Sequence, residues 1–304
     1  MTIEEKPKVG MLGLGSMGLG MAQSIIRHGI HVSGYDITVA AVAKLVEAGG
    51  TGALSVSEAA KGVDVLVVVV VNAAQTDTVL FGDNGAAAAM QRGGVIISSA
   101  TMAPDEARRL AVKAAALGLL YLDAPISGGA AKAALGQLTV MASGSAEAFH
   151  KARPVLNAMA ATVYELGNAV GIGASFKMVN QLLAGVHIAA ACEAITFAKK
   201  LGLDLPTVYK VITASAGNSW MFENRMPHVL DGDYSPKSAV AIFTKDLGIV
   251  SDMGRHEKFP LQIAATALQM FLMTAAAGME RDDDASVARM IAEITGLELP
   301  TRPE

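Results

Sequence analysis

Apolar residues recur along this chain in two rhythms. Up to about residue 170, short unbroken apolar runs alternate with stretches of helical spacing; beyond it only helical spacing remains. Runs at residues 8–12, 31–35, 65–71, 95–98 and 119–123 read as strands. Residues 65–71 are all Val or Leu, the composition of a parallel strand buried on both faces. Between the runs, residues 16–27 carry Met17, Met21, Ser24 and Ile25 at helical spacing, and residues 104–117 open with Pro-Asp-Glu and stop before Gly118. Strands alternating with helices predict a mostly parallel, doubly wound sheet. Residues 138–142 and 162–164 are expected to add edge strands, with a helix at 146–159.

The glycine-rich residues 167–173 read as a flexible joint before a long helix at 174–201. Further helices are expected at 205–214, 245–255, 261–276 and 285–295. A domain boundary is placed near residue 170, giving a dinucleotide-binding domain at 1–170 and a helical domain for substrate and oligomerisation at 171–304. A long helix followed by a helical remainder invites subunit packing, so a homodimer or homotetramer is expected.

The chemistry begins where the first apolar run breaks into Gly13-Leu14-Gly15-Ser16-Met17-Gly18, a G-x-G-x-x-G spacing that opens a helix. Gly13 suits the tight turn, Gly15 the approach of a pyrophosphate, and Gly18 close packing of the helix. The anion would rest on free N–H groups at the helix start. Asp36 ends the second strand, where a carboxylate accepts ribose hydroxyls and repels an added phosphate. With Ile37-Thr38-Val39 following and no arginine, NAD is expected over NADP.

In such sheets ligands sit beyond the carboxyl ends of the strands, which directs attention to Asp36, Asn72, Ser99 to Thr101 and the segment after Asp123. There, Ser127-Gly128-Gly129 offers a hydroxyl and backbone N–H groups as a nest for a carboxylate. Lys177 lies near the start of the long helix, with Asn180, Gln181 and Ala184 on its face. That face runs from polar to small at Ala184 and Gly185, leaving space for a polar ligand. The helix terminus and partial desolvation would both lower the lysine pKa, useful for a group that exchanges a proton.

Composition narrows the classes. The chain has 304 residues, 52% hydrophobic and 17% charged, enough for two domains and a large core. A net charge of -4 carries no electrostatic footprint for nucleic acid or anionic lipid, so neither nucleic acid nor membrane is an expected partner. Two uncharged stretches, 9–26 and 259–279, invite a membrane reading. The first is broken by glycines, and the second sets Gln262, Thr266 and Gln269 on one helical face. The single cysteine, Cys192, sits among alanines and suits a reducing compartment, and the opening M-T-I-E-E-K-P-K lacks a secretory pattern, so a cytoplasmic protein is expected. The histidines are scattered, Asp282-Asp283-Asp284 reads as a solvated helix start and Asp231-Gly232-Asp233 as a turn, so no metal site is expected.

Four motifs in order resemble the β-hydroxyacid dehydrogenase family, which includes 3-hydroxyisobutyrate dehydrogenase and tartronate semialdehyde reductase. They are G-L-G-S-M-G-L-G-M-A at 13–22, D-A-P-I-S-G-G at 123–129, G-I-G-A-S-F-K-M-V-N-Q at 171–181 and K-D-L-G at 245–248. The resemblance implies an α/β amino-terminal Rossmann domain with a doubly wound parallel sheet, a long interdomain helix and an all-helical second domain, with the active site in the cleft. It implies Lys177 as catalytic acid or base, Ser127, Gly128 and Gly129 as the hold on the substrate carboxylate, and Asn180 as the group that orients substrate. Val71, Asn72, Thr101 and Lys245 match positions that touch the cofactor. Many relatives carry two asparagines where this chain has Asn180-Gln181, so either amide remains a candidate for substrate contact.

Residues 180–194 and 216–236 look most like the L-threonate dehydrogenase branch. That likeness implies NAD-dependent oxidation of the C2 hydroxyl of a small hydroxy-carboxylate, L-threonate, to 2-oxo-3,4-dihydroxybutanoate, with Asn218, Glu223, Asn224 and Arg225 as candidate partners for the remaining hydroxyls. The alternatives are tartronate semialdehyde reduction, 3-hydroxyisobutyrate oxidation, or a dinucleotide-binding scaffold without catalysis.

Overall fold

The computed structural model describes residues 6–302. Residues 1–5, on which the reading of the amino terminus partly rests, lie outside the described residues. The chain divides into two compact units, Met1–Lys177 and Met178–Glu304, and the division falls inside the long helix Ile172–Lys200.

The first unit is built on a six-stranded sheet of β1 (Val9–Leu12), β2 (Val32–Tyr35), β3 (Thr51–Gly52), β4 (Val65–Val68), β5 (Val95–Ser98) and β6 (Leu120–Asp123). The order is β3-β2-β1-β4-β5-β6 and every pairing is parallel. β1, β4 and β5 are buried along their whole length, so their side chains feed two cores, one on each face. Met11, Val65, Val67, Val95 and Ile97 pack in one core, while Leu12, Leu66, Val68 and Ile96 pack in the other. Helix Gly18–Arg27 contributes Met21 and Ile25 to the first, and helix Pro104–Ala116 contributes Leu110 to the second.

The apolar run at 65–71 outlasts its strand. β4 ends at Val68 because its neighbour β1 has ended at Leu12 and turned away at Gly13, and Val71 emerges 46% exposed. The expected edge strands also need correction. They join a separate three-stranded sheet of β7 (Ile126–Ser127), β8 (Leu138–Ala142) and β9 (Ala160–Glu165), in the order β7-β8-β9. Pro125 lacks the N–H that would extend the ladder of β6, so the chain leaves the first sheet there.

In the second unit the long helix buries Ile188, Cys192 and Ile195 against Met226, Leu247, Phe271 and Val287. The other helices are Leu205–Thr213, Trp220–Asp231, Val240–His256, Gln262–Thr274 and Val287–Thr295. Helix Trp220–Asp231 escaped the sequence pattern because Pro227 lies inside it, although Ser219 caps it by accepting the Phe222 N–H. Ile172–Lys200 and Gln262–Met279 are long and apolar enough to cross a membrane by length and composition, a test that core helices also pass.

Asp282-Asp283-Asp284 is not a solvated helix start. Asp283 and Asp284 are fully buried, Asp284 in a two-pronged bond with Arg225 (2.6 and 3.0 Å) and Asp283 against His228 Nδ1 (2.8 Å). Tertiary partners that lie more than fifty residues away in sequence neutralise what local reading assigns to water. Burial opposes the charge on Asp283, but His228 and the N–H groups of Ala285 and Lys237 hold its carboxyl below the ordinary carboxylate value.

Candidate active site

The glycine loop has the shape a dinucleotide requires. Gly13 has φ +93°, and a Cβ there would lie 2.3 Å from the Val69 carbonyl oxygen. A Cβ on Gly18 would fall 1.9 Å from the Gly13 carbonyl oxygen, so the helix can start this close to β1 only with glycine. Around Gly15 no atom lies within 4 Å of the corresponding position, leaving the approach that a pyrophosphate needs. Helix Gly18–Arg27 has no side-chain cap at its start; the Leu19 N–H goes to the Gly15 carbonyl at 3.1 Å, and the positive end of the helix is turned to the glycine loop, where an anion would rest. These residues fit a bound dinucleotide.

Asp36 sits beside this loop at the end of β2. Its Oδ2 accepts the Leu14 N–H and its Oδ1 the Thr38 N–H, both at 2.7 Å. Each carboxylate oxygen has a second lone pair, so hydroxyls of a ribose can still be accepted. Asn72 caps helix Ala73–Phe81 by accepting the Gln75 N–H at 2.8 Å, while Gln75 Oε1 accepts the Val71 N–H at 3.0 Å. That reciprocal pair orders the turn after β4 at the same strand-end rim as Asp36 and Thr101.

After β6 the chain passes through Asp123 and Pro125 into β7. Ser127 ends β7, and Gly128 and Gly129 follow at φ +137° and +77°. Lys177 is buried, and its Nζ donates to the carbonyl of Ile126 at 2.8 Å. That bond brings the lysine to the residue next to Ser127. Asp123 Oδ2 in turn accepts the N–H groups of Gly171 (3.0 Å) and Ala174 (2.8 Å) at the start of the long helix. Desolvation pushes the Asp123 carboxyl up to about 6, against these hydrogen bonds and the Ser143 hydroxyl, which favour its charged form.

In the second unit Asn180 Nδ2 donates to Gln181 Oε1 at 2.9 Å, and Gln181 Nε2 donates to Asp246 Oδ2. Lys245 Nζ pairs with Asp246 Oδ1. Asp246 is 1% exposed and organises both neighbours. Sequence reading named Lys245 from the K-D-L-G motif and passed over Asp246, although the motif contains it. Space expected beside Ala184 is absent at Gly185, where a Cβ would lie 2.9 Å from Leu247. Arg225 is bound to Asp284 and to Asn224, and Asn218 Nδ2 donates to Glu223 at 2.6 Å, so each of the four candidates for the remaining hydroxyls already has a partner within the protein. Among the described residues no group of three or more His, Cys, Asp or Glu could hold a metal.

Comparison with known proteins agrees with this geometry. The family profile for the NAD binding domain of 6-phosphogluconate dehydrogenase matches residues 8–167, and the profile for the NAD-binding region of NADP-dependent 3-hydroxyisobutyrate dehydrogenase matches residues 171–291. An L-threonate dehydrogenase of Cupriavidus necator is 52% identical over 97% of this chain and 99% of its own length. One of Escherichia coli K12 is 49% identical over 94% and 95%. The crystal structure of a 3-hydroxyisobutyrate dehydrogenase from Salmonella typhimurium superposes with a TM-score of 0.91 at 49% identity, covering 94% of this chain and all of that one. With a dinucleotide loop, an all-parallel sheet and near full-length kinship to dehydrogenases, the chain belongs to the 3-hydroxyisobutyrate dehydrogenase family of NAD(P)-binding oxidoreductases that act on CH–OH groups.

Proposed function

We propose that this enzyme oxidises the C2 hydroxyl of L-threonate to 2-oxo-3,4-dihydroxybutanoate with NAD, using Lys177 as acid and base. The observation that carries the reading is the buried Lys177 side chain, its Nζ bonded to the Ile126 carbonyl, beside Ser127-Gly128-Gly129. A carboxylate held by that turn presents its neighbouring carbon, C2, to the lysine. Lys177 exchanges the proton of the C2 hydroxyl, and the bound dinucleotide supplies the hydride acceptor. Asn180 orients the substrate, because both ends of the Gln181 amide are engaged, one by Asn180 and one by Asp246. Gly13, Leu14, Gly15, Ser16, Met17 and Gly18 hold the pyrophosphate, with Val71, Asn72, Thr101 and Lys245 as further cofactor contacts.

NAD is favoured over NADP because Asp36 is the charged group at the ribose end and is followed by exposed Ile37 and Val39 rather than by a cation. The kinship to L-threonate dehydrogenases at 48–52% identity supports the substrate assignment. On the long helix Phe176, Val179, Leu183 and Phe197 remain exposed. That apolar face supports a homodimer or homotetramer, and the buried thiol of Cys192 suits a reducing cytoplasm.

The test is turnover by purified protein of L-threonate, 3-hydroxyisobutyrate, glycerate and tartronate semialdehyde with NAD(H) and NADP(H). Highest kcat/KM for L-threonate with NAD is expected. Lys177→Ala should lower kcat by about 10²- to 10⁴-fold while leaving NAD affinity intact. Preference for another acid rejects the substrate, and an active Lys177→Ala rejects the role of the lysine.

A further inference from the structure

We infer that Asp123 is a positioning residue for Lys177: it holds the first turn of the long helix where the lysine meets the Ser127-Gly128-Gly129 turn. The inference rests on the acid–base reading of Lys177. Helix starts leave N–H groups without partners, and local capping side chains usually collect them. Here Gly171 precedes the helix and has no side chain to do so. Its own N–H and that of Ala174 are instead collected by Asp123 Oδ2, from the end of β6, at 3.0 and 2.8 Å. The Gly173 N–H goes to Ser143 Oγ at 3.0 Å, and that hydroxyl stands 3.5 Å from the same Asp123 oxygen.

The seating is tight. A Cβ on Gly173 would lie 2.3 Å from the Met141 carbonyl oxygen and 2.7 Å from that of Asp123, so the helix start is pressed onto both strands. Ala174 and Lys177 are three residues apart and share a helix face. Asp123 therefore grips the backbone of the turn below the lysine, while Ile126, three residues along the same segment, receives its Nζ. A helix rotates by about 100° per residue, so a slip of one residue in this first turn carries Lys177 away from Ile126. The carboxylate is 2% exposed, and its ionisation opposes folding. A neutral acceptor would cap a merely structural helix with less strain on stability. Around it stand Tyr121 on its own strand, Arg108 from helix Pro104–Ala116, and Ser143.

The test compares Asp123→Ala, Asp123→Asn, Ser143→Ala and Lys177→Ala in the full-length protein, measuring kcat and KM for L-threonate and NAD affinity by binary titration. Asp123→Ala should lose on the order of a hundredfold in kcat with NAD affinity unchanged, and Asp123→Asn, which keeps an accepting oxygen, should recover to within about tenfold of the parent. Parental kcat in folded Asp123→Ala overturns the inference. An Asn variant no better than the Ala variant also overturns it, as does a loss that NAD affinity shares in proportion. Should Asp123→Ala not fold, Ser143→Ala decides: a severalfold fall in kcat alone is expected, and an unchanged kcat overturns the inference. Full activity in Lys177→Ala refutes the acid–base reading itself, whereas an inactive Lys177→Ala beside a fully active Asp123→Ala refutes only the positioning role.

Discussion

Two side chains show how much a residue's neighbours change its chemistry. Asp123 binds its proton more tightly in the folded chain, at about 6, than at its ordinary value of 3.8, because burial outweighs the N–H groups of Ala174 and Gly171. Its contribution to stability therefore falls as pH rises between these values and is constant above them. Asp123→Asn removes this titration. The variant should gain stability relative to the parent on going from pH 4 to pH 7.5, by on the order of 2 kcal/mol. Calorimetric melting at both pH values checks this, and an offset that does not change with pH contradicts it. Gln181 is the second case: sequence leaves it equal to Asn180 as a substrate contact, and the hydrogen bond to Asp246 makes it a support for its neighbour instead.

At the scale of elements, the glycine loop depends on helix Gly18–Arg27 starting almost in contact with the end of β1. Gly18→Ala introduces a methyl 1.9 Å from the Gly13 carbonyl oxygen, a backbone atom that cannot yield without moving the loop. We expect at least a tenfold loss of NAD affinity and a destabilisation of about 1–3 kcal/mol. Titration of the variant with NAD, together with chemical denaturation, measures both. Parental affinity would show that the loop tolerates displacement. The long helix illustrates a different dependence, since its amino-terminal turn is capped by β6 through Asp123 rather than by residues adjacent to it.

The two units as whole bodies are stabilised by different means. The first surrounds a sheet with apolar cores on both faces, whereas the second mixes an apolar core with a buried ionic pair at Arg225–Asp284 and a buried hydrogen bond between His228 and Asp283. Removing one partner of such a pair leaves an uncompensated buried charge. Arg225→Ala should destabilise the second unit by about 3–5 kcal/mol. The lone tryptophan, Trp220, lies on the same helix and reports its unfolding by fluorescence. Unchanged stability with a raised KM would instead return Arg225 to the role of substrate ligand.

Much of this molecule was legible locally. The parallel sheet followed from unbroken Val and Leu runs, the dinucleotide loop from glycine spacing, and the long helix with Lys177 from apolar periodicity, because each of these depends on residues close together in the chain. Only the tertiary structure decided that Ala160–Glu165 joins a second sheet, that Leu247 fills the space beside Gly185, that Asp283 and Asp284 are buried ions, and that Asp123 grips the helix of Lys177. The reason is the same throughout: the fate of a polar group or a small side chain is set by the atom that arrives opposite it, and here that atom comes from 48 to 65 residues away or from another strand.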